Sequence, residues 1–427
     1  MIFRARLGLG SHGAERYGWT QLIGDLSGGV IAALIALPYG LAMASLMGLP
    51  PVLGIFTSIL TAPVIALFGR NPVLIGGTAS ATVPFLALAA RQHGVAGAAQ
   101  LSILASLFML LFAVTRMGRY MAKVPHAVVT GFSCGIGGMM LVSQLDIILG
   151  VATPLGRSAS TAAGQFAGVL QHLGDARMVP MVLGIAVILV ATLSARLSPH
   201  APAPLIGVVL AIVIARVFGL REKEVGVLPA MLPPMVLMSW KLRDVVSMLP
   251  SAAALAFVSS VNILITSRVV EHFRGRHKRM QPSDADRELG AYGLANCIAG
   301  SFGAPLSVGI PARSLAVVRC GGTTALANLF HAAVLLVILW LGSGLVSHIP
   351  IPALAGVTAW MGLCLLDWSA WRRLPKMTRV DAAAFLVTAT SVMAVNAVLA
   401  VAMGCSLYGL HALWTRRLRP ASMPETV

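Results

Sequence analysis

The chain has 427 residues, 57% of them hydrophobic and 11% charged, and a mean hydropathy of +0.86. A water-soluble domain of this length needs many more charges to cover its surface, so the composition excludes a soluble globule and leaves an integral membrane protein. The net charge of +17 does not imply a nucleic-acid partner, because the basic residues stand in short clusters kept apart by apolar runs.

Those clusters are Arg4, Arg6 and Arg16; Arg116, Arg119 and Lys123; Arg268 through Arg287; Arg372, Arg373, Lys376 and Arg379; and Arg416, Arg417 and Arg419. By the positive-inside rule they place these loops and both termini in the cytoplasm, around a multi-pass protein of the inner membrane. After a tail over residues 1–21, apolar runs predict spans near 22–47, 52–69, 73–90, 97–115, 124–149, 179–197 and 202–219. A second set follows near 245–270, 288–302, 312–318, 322–346, 350–366, 378–394 and 396–415. Between them lie an extracellular connection at 151–178 with a surface helix, a Pro-rich link at 221–243 and a charged cytoplasmic loop at 271–287. The first apolar run is followed at once by others, which is not the layout of a cleaved signal peptide.

Two of the spans are irregular. Residues Asn71-Pro72-Val73-Leu74-Ile75-Gly76-Gly77-Thr78-Ala79-Ser80 open on proline, read as a strand, meet two glycines and then enter a helix. Pro305-Leu306-Ser307-Val308-Gly309-Ile310-Pro311-Ala312-Arg313 does much the same in the second half. Interrupted segments at matched positions of two halves point to a transporter site at a repeat interface. Helices that start inside the membrane aim unpaired N–H groups and positive dipole ends at whatever sits there, which suits an anion.

None of the fourteen acidic residues falls in the middle of an apolar run. Asp25, Asp146, Asp244, Asp367 and Asp381 stand near run ends, while Glu222, Glu224, Asp284, Asp286 and Glu288 stand in connections. The expectation is a core with no buried carboxylate to carry a proton, which again favours an anion. Arg313, at the start of the second short helix, is the sharpest candidate, since an ionisable group inside a membrane is functional by default. The alternative is that it snorkels or caps carbonyls of a neighbouring segment. Thr78 and Ser80 offer hydroxyls at the first break and Ser307 at the second, and Tyr39 follows Pro38, which interrupts the first span. Ser259, Asn262 and Thr266 form a polar stripe on one helical face, lining a cavity or joining helices.

No cofactor, metal or catalytic machinery is expected. Phosphate-binding and dinucleotide-binding glycine patterns and HExxH are missing. His126, His331, His348 and His411 are isolated and read as packed or interfacial. Cys134, Cys297, Cys320, Cys364 and Cys405 are scattered and read as reduced thiols.

Several motifs in order are similar to those of the sulfate permease (SulP) family of inorganic anion transporters. They are Asp25-Leu26-Ser27-Gly28-Gly29; Ala36-Leu37-Pro38-Tyr39-Gly40; Gly48-Leu49-Pro50-Pro51; Gly131-Phe132 to Gly137 with Gln144-Leu145; Gly293-Leu294-Ala295-Asn296; and Ala312-Arg313-Ser314 with Val318-Arg319-Cys320-Gly321-Gly322. The resemblance implies an all-α membrane protein of fourteen segments in a 7+7 inverted repeat, with short strands and half-helices in segments 3 and 10. It implies a core domain from residues 22–115 and 245–346, a gate domain from 124–219 and 350–415, homodimers, and elevator-like alternating access. The implied anion site is Tyr39, Thr78, Ala79, Ser80, Ser307, Val308 and Arg313. Two departures stand out. Asn262 occupies the position where relatives carry an acidic residue, with Thr266 kept four residues on, which argues against sodium or proton coupling. The tail at 416–427 ends where most relatives continue into a STAS domain. The implied function is secondary transport of sulfate or bicarbonate, with chloride next. An uncoupled anion channel, or a carrier of a small organic anion or nucleobase, is the alternative on the same architecture.

Overall fold

The computed structural model describes residues 18–121, 125–151, 162–197, 203–226, 233–238, 240–274, 284–394 and 397–418. The basic cluster at Arg4, Arg6 and Arg16, Lys123, the loop residues 275–283 and the tail beyond 418 lie outside them. The first half runs α1 Trp19–Leu46, α2 Val52–Phe68, β1 Gly76–Thr78, a 3-10 turn Ser80–Thr82, α3 Val83–Val114, α4 Gly118–Met121, α5 His126–Leu149, α6 Ala162–Gln171, α7 Met178–Leu197 and α8 Ala203–Val217. The second runs α9 Leu242–Arg274, α10 Ala285–Ser301, β2 Ser307–Gly309, α11 Pro311–Arg319, α12 Leu326–Ser347, α13 Ile351–Leu365, α14 Trp368–Arg373, α15 Arg379–Ala394 and α16 Ala397–Leu418. Among the described residues, six helices are long and apolar enough to cross a membrane, and four shorter ones are apolar. α10 carries Asp286 and Glu288 in its first turn and α15 carries Asp381, which lowers their apolarity. Asp284 caps α10 by accepting from the N–H groups of Asp286 and Arg287.

Helix packing repeats with inverted order. α1 packs on α12 as α9 packs on α3, and α2 packs on α12 as α10 packs on α3. Likewise α5 meets α15 as α13 meets α7, and α7 meets α8 as α15 meets α16. Contacts join α1–α3 with α9–α12 in a first group and α5, α7 and α8 with α13, α15 and α16 in a second, while α1 also meets α8 and α13 across them.

Strands β1 and β2 pair antiparallel inside the first group, with Gly76 opposite Gly309, Gly77 opposite Val308 and Thr78 opposite Ser307. A two-stranded ladder leaves its outer edges unpaired, and in a dry interior those groups need partners. Side chains from the surrounding helices supply them. Asn296 of α10 accepts from Ser307 N–H at 2.7 Å and donates to Ser307 C=O at 2.9 Å. Asn328 of α12 donates to the carbonyls of Pro72 and Leu74 at 3.3 and 3.1 Å. Ser314 accepts from Ile75 N–H at 2.9 Å, and Thr266 donates to Gly309 C=O at 3.2 Å. Substituting Asn296→Leu strands both Ser307 groups and is expected to cost about 2–5 kcal/mol, read as a lower melting temperature of the purified protein. Asn296→Asp, which keeps one acceptor, should fall between.

The expectation of a core without buried carboxylates is overturned. Asp25 and Glu288 are both fully buried. Asp25 accepts from the N–H groups of Thr323 and Thr324 at 2.7 and 3.0 Å, and Glu288, in α10 rather than in a connection, accepts from those of Arg70 and Asn71 at 2.7 and 3.0 Å. Short broken segments end inside the fold and leave N–H groups there, so the carboxylates that meet them are buried although the sequence sets one near a run end and the other in a connection.

Candidate functional site

Because the ladder is antiparallel, the helices that follow its strands leave from opposite ends. Each turns its unpaired first-turn N–H groups back toward the ladder. Ala79, extended at φ −133° and ψ 154°, carries β1 into the 3-10 turn, and Ile310 carries β2 into α11. Pro311 at the first turn of α11 has no N–H to waste. Pro311 and Ala312 are exposed, so the start of α11 is reachable, whereas Arg313 beside it is completely buried.

The Arg313 side chain folds inward. Its Nη1 donates to Ser58 Oγ of α2 at 3.1 Å and lies 3.3 Å from the Gly76 carbonyl. The guanidinium carbon stands 5.1 Å from the centre of the Tyr39 ring, an arrangement in which the aromatic face attracts the cation. Gly77 makes this possible, since a Cβ there would collide with Nη1. Nε and Nη2 have no protein partner, and no carboxylate pairs with Arg313 among the described residues. Arg313 thus caps a carbonyl of the neighbouring segment and carries a charge that no carboxylate among the described residues meets, beside two helix starts.

The other candidates divide. Tyr39 and Ser80 are buried and adjacent, the Tyr39 oxygen lying against the Ser80 N–H and hydroxyl. Thr78 is fully buried with its hydroxyl unpartnered. Val308 serves through its backbone pairing with Gly77, and the Ser307 hydroxyl is 3.3 Å from Thr61 Oγ1 of α2, turned to the scaffold. Asn262 lines a small cavity of about 40 Å³ with residues of α5 and α16. Ser259 is fully buried with its hydroxyl unpartnered, and Thr266 is tied to Gly309. Ser58, Thr61 and Asn328 escaped the sequence reading, and Asn296 entered it only within a family motif. Thr57, Ser58 and Thr61 do form a polar stripe at helical spacing in an apolar run, and that was the available signal. No cluster of metal-ligating side chains occurs among the described residues.

The profile of the sulfate permease family matches residues 22–388. This chain belongs to the sulfate permease family. The bicarbonate transporter BicA of Synechocystis sp. is 29% identical over 395 residues, covering 90% of this chain and 68% of that protein. A probable sulfate transporter of Mycobacterium tuberculosis, Rv1739c, is 30% identical over 404 residues, covering 92% of this chain and 70% of that protein. The solved transmembrane domain of a cyanobacterial BicA aligns with a TM-score of 0.78 at 26% identity, over 91% of this chain and 98% of that one. SLC26A9 shares the fold at a TM-score of 0.81 and 20% identity, over 92% of this chain and 66% of that one. As a sulfate permease family member, the protein is a multi-pass membrane transporter of a small inorganic anion and not an enzyme.

Proposed function

We propose that the chain carries sulfate or bicarbonate across the inner membrane by alternating access, binding the anion at the starts of the 3-10 turn and α11. The observation that carries this reading is Arg313: a buried guanidinium without a carboxylate, beside a helix start whose first residues are exposed. Tyr39, Thr78, Ala79, Ser80, Ser307, Val308 and Arg313 form the pocket, with Ser80 and the α11 N–H groups meeting the anion and Arg313 supplying charge from behind. Relatives named for bicarbonate and for sulfate transport support those two substrates.

In this reading the chain makes fourteen segments in two inverted sets of seven, the segments containing β1 and β2 being the third and tenth. The group α1–α3 with α9–α12 is the core that carries the anion, and the group around α5 and α13 is the gate against which it slides. A cavity of about 190 Å³, lined by Ser45 and Arg91 on one side and Gln144, Asp146 and Thr358 on the other, marks the outer approach between them. Both termini are cytoplasmic and the protein works as a homodimer. Asn262 cannot titrate, which favours exchange or uncoupled passage over sodium or proton symport.

Uptake of radiolabelled sulfate, bicarbonate and chloride into proteoliposomes, with and without a sodium or pH gradient, tests the reading. Saturable uptake of one of the first two is expected, with Ser80→Trp abolishing it by filling the pocket. Unsaturable, voltage-scaled current would instead make the protein a channel, and wild-type uptake by Ser80→Trp would move the site elsewhere.

A further inference from the structure

His331 of α12 is fully buried, and neither ring nitrogen has a protein hydrogen-bond partner. A neutral imidazole carries one N–H donor and one lone-pair acceptor, and both weaken the fold if left unmet in a dry interior. Arg313 presents the same problem from the other side, with Nε and Nη2 unmatched by protein.

Packing fixes this placement. Asn328, three residues before His331 and on the same face of α12, is held by the carbonyls of Pro72 and Leu74 at 3.3 and 3.1 Å. That face therefore lies along the chain entering β1, where the Gly76 carbonyl receives Arg313. Beside that face α1 crosses at Gly29, where a Cβ would meet Phe330 Cβ at 2.7 Å, Ala327 O at 2.9 Å and His331 N at 3.1 Å. The backbone around His331 has no room to withdraw from the ladder.

What joins two unmatched N–H groups of a cation to the lone pair of a neutral ring is a molecule that accepts from one and donates to the other. A single water does this. We propose that His331 is a positioning residue for the anion site, accepting through one bound water a hydrogen bond from Arg313. Ser58 and Gly76 then hold one edge of the guanidinium and His331 the other. The charge stays behind the start of α11 instead of turning to other carbonyls. A carboxylate in the place of His331 would neutralise Arg313, whereas a neutral acceptor steadies it and leaves its charge for the anion. This inference rests on the anion site proposed above.

Sulfate and bicarbonate uptake into proteoliposomes is compared for wild type, His331→Leu, His331→Gln, Arg313→Gln and the double variant His331→Leu/Arg313→Gln. His331→Leu removes the acceptor and is expected to raise KM about 10-fold with little change in maximal rate. His331→Gln restores an acceptor oxygen and is expected to bring KM back to within about 3-fold of wild type. In the Arg313→Gln background, adding His331→Leu should change KM no further, because the interaction is already lost. A lowered maximal rate at unchanged KM, a glutamine variant no better than leucine, or fully additive effects would overturn the proposal. Should His331→Leu not yield folded protein, His331→Met takes its place in the same comparison. If Arg313→Gln itself transports with wild-type KM, the site reading fails, a result that does not depend on His331.

Discussion

Arg313→Ala is expected to reduce sulfate or bicarbonate uptake by about 100-fold while the purified protein melts close to the wild-type temperature. The two halves of that result have separate causes. A charge buried without a carboxylate is costly to the fold, and removing it recovers desolvation energy that offsets the lost bonds to Ser58 and Gly76. An anion leaving water for the helix starts recovers its own solvation only from donors already aimed at it, and the guanidinium is the one full charge among them. A loss of about 3 kcal/mol in binding corresponds to the stated factor. Arg313→Lys should be intermediate, since an ammonium keeps the charge but has neither the further N–H groups beyond the nitrogen that meets Ser58 and Gly76 nor the flat face against Tyr39. Uptake assays and thermal melting on the same preparations decide it. A variant that melts early yet transports normally per folded molecule would make Arg313 a carbonyl cap and nothing more.

The breaks around β1 and β2 were legible because proline and glycine mark places where a helix cannot run, and Pro72, Gly76, Gly77, Pro305 and Pro311 punctuate both segments. Arg313 was legible as an anomaly of polarity. The partners that hold these segments were not. Asn296 and Asn328 are single amides within α10 and α12, and only the fold reveals that one faces an unpaired strand edge and the other the chain entering β1. The inward turn of Arg313 depends on Gly77, far away in sequence but adjacent through the ladder, and no local pattern encodes such pairing. Asp25 and Glu288 were misplaced for a related reason. A place near the end of an apolar run, as for Asp25, or in a connection, as for Glu288, does not show that neighbouring segments end at the same level and bury the carboxylate.

Asp25 gives the second large effect, on stability rather than transport. It joins α1 to the chain between α11 and α12, accepting from the N–H groups of Thr323 and Thr324 and from the Thr324 hydroxyl. These are charge-assisted bonds inside the protein, and Asp25→Ala leaves their donors without an acceptor at an expected cost of about 3–5 kcal/mol. Asp25→Asn should cost about 1 kcal/mol, since its carbonyl oxygen still receives both N–H groups and its amide can donate to the Thr324 hydroxyl. The order wild type, asparagine, alanine in melting temperature therefore separates the acceptor role from the charge. Because Asp25 anchors the far end of α11 and not its start, the folded fraction of either variant is expected to keep the wild-type KM. Equal melting temperatures for all three proteins would remove the capping account, and a raised KM in the well-folded asparagine variant would show that the far end of α11 also sets the geometry of its start.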